Sequence, residues 1–82
     1  MTAKNEAGRI YHDYFGGGPS SPGEQRMEDA WLQFPECRSG GGDLVNATDF
    51  IVAGIVEHVG ERDDWSEIEA ELRPMVEAGL RA

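Results

Sequence analysis

The sequence predicts an all-α fold: a small bundle of about four short amphipathic helices joined by Gly/Pro-rich loops, read as a single domain over residues 1–82. Three observations predict it. Apolar residues recur at three- and four-residue spacing in four separate segments, the period of a helix with one buried face. Residue types that start and stop helices stand at the ends of those segments. Two glycine-rich punctuations, at 16–21 and 39–43, divide the chain where no helix comfortably continues. This agreement of cap with period argues for order. It does so although Leu, Ile, Val and Phe number only sixteen, near the roughly 20% border below which charged chains stay disordered.

The first helix is expected over residues 2–15, with Ala3, Ala7, Ile10, Tyr11, Tyr14 and Phe15 on one face and Gly16 as its stop. The second is expected over 22–34. Ser21 is its cap, Pro22 suits the first helical position, and Glu24 is placed to complete a capping box. Its stripe is Met27, Ala30, Trp31 and Phe34, and Pro35 ends it because the residue before a proline is pushed out of helical geometry.

The third helix is expected over 47–59, with Asn46 as cap, Val45 and Phe50 as a hydrophobic staple, and Gly60 as stop. Its run from Phe50 to Val56 is apolar nearly all round, which places it centrally; a buried strand is the rival reading, since Ile and Val favour strands. The fourth is expected over 65–80, with Asp64 as cap, Glu67 three positions later, and Trp65, Ile68, Leu72 and Met75 as its stripe. Pro74 falls inside it. A proline there removes a backbone donor and costs about 3 kcal/mol, so a kink or a split into two helices is expected at that point.

Charge is the most informative feature for function. Residues 43–82 carry ten carboxylates against three arginines, seven of the chain's nine net negative charges. Such a half repels nucleic acid and anionic membranes and attracts basic surfaces. The apolar run is far shorter than the roughly 18 residues that span a bilayer, and no basic stretch leading into an apolar core opens the chain, so neither a membrane segment nor a secretory signal is expected. The single Cys37 has no partner for an internal disulfide, which fits the cytoplasm.

Chemistry-bearing motifs are weak. Gly16 to Gly18 precede a helix but lack the lysine of a phosphate loop, and Glu24, Glu28 and Asp29 would repel an anion. His58 among Glu57, Glu61, Asp63 and Asp64 suggests a cation site, yet no matching carboxylate–histidine pair lies elsewhere and no EF-hand pattern fits. Cys37 and the His12-Asp13 pair lack a recognisable activating partner. A helix pair reading DNA is opposed by Glu67, Glu69, Glu71 and Glu77 on its second member. No catalytic residue, metal or cofactor is therefore assigned.

The expected function is that of a small acidic, non-enzymatic protein-binding module: a regulator or inhibitor of the phage or mobile-element kind that occupies a basic, nucleic-acid-binding surface of a larger protein. The residues expected to carry contact are Glu61, Asp63, Asp64, Glu67, Glu71 and Glu77 for charge, with Trp65 or Trp31 as anchor. The alternative is a structural or homo-oligomeric helical protein whose acidity serves only solubility. One contiguous acidic surface, opposite the stripe of the fourth helix, is the geometric expectation.

Overall fold

The computed structural model describes residues 3–18 and 21–82. Its elements are α1 (Ala3–Phe15), α2 (Pro22–Gln33), a 3₁₀ turn (Cys37–Ser39), α3 (Gly41–Val59) and α4 (Trp65–Arg81), with no strand among the described residues. The expected four-helix, all-α architecture is what forms. Thr2, at the expected start of α1, and Pro19 and Ser20, in the expected loop, lie outside the described residues.

All four helices feed one core. Its fully enclosed side chains include Ile51 and Ile55 of α3, Ile68, Leu72, Val76 and Leu80 of α4, and Cys37 of the 3₁₀ turn. Helix α3 packs against each of the other helices and against the 3₁₀ turn, the central position its apolar run implies. The strand alternative for Phe50 to Val56 is excluded, because these residues are helical. Leu44, Ala47, Thr48, Ile51 and Ile55 bury one face at helical spacing, whereas Val45, Asn46, Asp49, Ala53 and Glu57 leave a second face open to solvent. No described helix is long and apolar enough to cross a membrane.

Four of the expected helix ends form differently. Ser21 does cap α2, its hydroxyl accepting the Glu24 amide at 3.1 Å. Its own amide, however, donates to the Gly18 carbonyl at 3.0 Å, so the return bond from Glu24 that would complete the capping box has no donor left to take. Helix α2 ends at Gln33, with the Phe34 amide closing the last turn on the Ala30 carbonyl at 2.8 Å.

Helix α3 begins at Gly41, not after Asn46. Gly40 and Gly41 hold φ of 93° and 74°, the left-handed turn that only glycine makes cheaply, and the chain enters the helix directly from the 3₁₀ turn. Two glycines in a first turn cost about 1 kcal/mol each in helix propensity. Burial of Leu44, Ala47 and Thr48, with the Thr48 hydroxyl donating to the Leu44 carbonyl at 2.7 Å, offsets that cost. Asn46 is therefore an exposed mid-helix residue and Val45, 54% exposed, staples nothing.

Helix α4 runs unbroken from Trp65 to Arg81 with Pro74 inside it, so the split into two helices does not occur. Pro74 and Ala70 both face solvent, where water can serve the carbonyl that proline leaves unpaired. The buried stripe is Ile68, Leu72, Val76 and Leu80; Met75, expected within it, is only half-buried. Asp64 occupies the cap position but makes no side-chain cap, because its carboxylate is held elsewhere.

Candidate functional site

The site is built at the turn between α3 and α4. Gly60, at φ 89°, ends α3 while its amide donates to the Val56 carbonyl at 2.8 Å, and the chain reverses through Glu61 to Asp64 before α4 begins. Arg62 ties the turn down. Its Nε and Nη2 donate to the two oxygens of Asp64, both at 3.0 Å, and its Nη1 donates to Glu6 Oε1 of α1 at 2.7 Å. Arg9 donates to the same Glu6 oxygen. This forked, charge-assisted geometry explains why Asp64 does not cap α4: a bidentate guanidinium outcompetes a backbone amide.

Glu6 is correspondingly held below the ordinary glutamate range, first by its hydrogen bond from Arg62 and then by that from Arg9; Arg62 likewise lowers Asp64. A carboxylate whose folded pKa is depressed binds fewer protons folded than unfolded, so its stabilisation is present above the unfolded pKa and lost as pH falls through the folded value. Glu6→Gln is expected to lower stability near neutral pH and to flatten the loss of stability in acid. Thermal melts of both proteins from about pH 7 down to about pH 3 check this; parallel curves would show that the Glu6 cluster does not drive the acid response.

Around this turn, Glu61, Asp63, Asp64 and Trp65 line one open hollow of about 750 Å³, floored in part by Val56. Val56 also borders a second hollow of about 490 Å³, set between α3 and α4 and lined by Asp49, Val52, Ala53, Glu57, Glu69 and Arg73. The two are neighbouring hollows that share Val56 and together are the α3–α4 groove. Arg73 sits across it, bound to Asp49 at 2.7 Å and lying 3.7 Å from Glu69.

The other sequence-predicted residues lie elsewhere. Glu67 and Glu71 are exposed on the outer side of α4 and line neither hollow. Glu77 is half-buried, and six residues beyond Glu71 it points about 120° away around the helix. The carboxylates thus fall into two sets, one lining the hollows and one, Glu67 and Glu71, on the outer face of α4 away from its buried stripe. Trp31 is half-buried: its indole donates to the Leu80 carbonyl at 3.0 Å and the Arg38 guanidinium lies 4.5 Å from its ring centre. Leu80 and Trp65 stand at opposite ends of α4, about 22 Å apart along the axis, so the two candidate anchors lie at different ends of the bundle.

Sequence reasoning missed Asp49, Glu57 and Glu69 as groove residues. The usable signal is the row Val45, Asp49 and Val56 at helical spacing on one flank of α3, a row that begins before the expected start of that helix at residue 47. His58 packs beside Tyr14, with ring centres 5.2 Å apart and planes tilted by 58°, and among the described residues no group of three His, Cys, Asp or Glu is placed to hold a metal ion. Comparisons with family models, curated proteins and solved structures find no match for this chain.

Proposed function

We propose that this chain is a small acidic protein-binding module, without enzymatic activity, that occupies a basic surface of a larger partner. It acts by occupancy, as a regulator or inhibitor of the phage or mobile-element type, covering a place where the partner would hold nucleic acid. The observation that supports this is the distribution of counterions. Among the described residues Glu57, Glu61 and Asp63 are exposed and make no ion pair, while Arg62 and Arg73 beside them are committed to internal pairs. The uncompensated negative field at that end of the molecule is available to an outside cation and steers one in. Two copies of a chain carrying −9 repel each other, which disfavours self-association as the purpose of the surface. The compartment proposed is the cytoplasm, where the lone buried Cys37 remains a thiol.

Pull-down from the native host at low and at high salt tests the reading. A partner with a basic surface, retained at low salt and released at high salt, is expected. Retention that ignores salt, or no retained protein at low salt, overturns it.

A further inference from the structure

The α3–α4 groove combines an apolar floor with an acidic rim. Ala53 is exposed, Val56 and Trp65 are half-buried, and Val45, on the same flank of α3 one turn before Asp49, is 54% exposed. Val45, Asp49 and Val56 lie on one flank of α3, whereas Val52, between them, is 4% exposed and belongs to the core. Six carboxylates and two arginines line the two hollows, and both arginines are already ion-paired within the molecule. Apolar floor and net negative rim together are complementary to one kind of surface, apolar along a stripe and cationic on its flanks.

We infer that this groove docks a cationic amphipathic helix of the partner. Its aliphatic stripe seats on Ala53, Val56 and Trp65, and its lysines or arginines meet Glu57, Glu61 and Asp63. The inference rests on the acidic-module reading and deepens it by naming the surface and the element that fills it. Asp49 to Val59 spans about 15 Å along α3 before the chain reverses, so an occupant of about three turns, roughly ten to twelve residues, matches the groove. An extended segment has no sheet edge to join, since the described residues contain no strand. Nucleic acid is opposed by the rim charge. Glu67 and Glu71, on the outer face of α4, are left as peripheral contributors to the field.

The probe is a fluorescein-labelled peptide of about twelve residues, leucine and lysine only, with leucines at three- and four-residue spacing; a scrambled peptide of the same composition is its comparison. Anisotropy titrations at about 0.02 M and about 0.3 M salt should show the patterned peptide binding at least tenfold more tightly than the scrambled one, and weakening with salt. Ala53→Arg, which fills the floor from an exposed position, should abolish the preference. The triple change Glu57→Gln, Glu61→Gln and Asp63→Asn should weaken binding about tenfold or more and flatten the salt response. Melting curves show that each variant is folded.

Equal binding of patterned and scrambled peptides, no binding of the patterned one, or unchanged binding by Ala53→Arg overturns the groove. If the triple variant weakens both peptides alike, or if only Glu67→Gln with Glu71→Gln weakens binding, the acidic module stands and the groove fails. If no neutralising variant alters the salt-sensitive capture of the host partner, the module reading fails as well.

Discussion

Leu72→Ala is expected to lower the free energy of unfolding by about 2–5 kcal/mol, the largest effect of any single substitution considered in this chain. Leu72 is fully enclosed and stands in the middle of the Ile68, Leu72, Val76, Leu80 stripe, on the helix that packs against both α1 and α3. Removing three carbons there forfeits their transfer free energy and leaves a cavity that α4 cannot collapse around without disturbing two neighbours. The global stability of a chain of this length is on the order of 4–12 kcal/mol, at about 0.05–0.15 kcal/mol per residue. A loss in the predicted range therefore brings the protein close to half unfolded under native conditions if its stability lies at the lower end. Leu32→Ala, removing the same carbons from a side chain that is 80% exposed, is expected to stay within about 0.5 kcal/mol of the parent. Urea denaturation of both variants measures the contrast; equal midpoints would show that α4 is not packed as described.

What the sequence revealed and what it hid follow from the same physics. Helical period and caps carried α1, α2 and α4 to within a residue or two, because each has one apolar stripe and a local boundary signal: Gly16 after α1, Ser21 and Pro35 around α2, and Asp64 before α4. The start of α3 was hidden because its first turn has poor propensity, Gly41 and Gly42, and is held in place by the tertiary burial of Leu44 and Ala47, which no local signal records. Asp64 illustrates the complementary failure. Its position in sequence marks a cap correctly, yet its carboxylate is captured by Arg62, whose other partner, Glu6, comes from the opposite end of the chain. The charge excess at the α3–α4 turn was legible from composition alone. Its distribution between groove and outer face required the phase of two helices, and the tie of the Trp31 indole to the Leu80 carbonyl required their packing.

Gly23→Ala and Gly42→Ala are expected to change stability in opposite directions, although both place a methyl group on a glycine in the first turn of a helix. Propensity alone favours alanine at both positions, by up to about 1 kcal/mol. At Gly42 a Cβ would meet nothing within 4 Å, and the residue does not hold a positive φ. The substitution should therefore stabilise by about 0.4–1 kcal/mol, partly through a less flexible unfolded chain. At Gly23 the same Cβ would lie 2.6 Å from the Tyr14 carbonyl oxygen and 2.5 Å from Phe15 Cδ1. A rotamer change relieves a clash with a ring edge, but it cannot move a backbone carbonyl that belongs to α1. Helices α1 and α2 must separate, at a cost of about 1–3 kcal/mol that exceeds the propensity gain. Urea midpoints should accordingly fall for Gly23→Ala and rise for Gly42→Ala. Should both rise, the close approach of α1 to α2 would not be what fixes Gly23, and the crossing of those helices would have to be looser than the packing of Tyr14 and Phe15 requires.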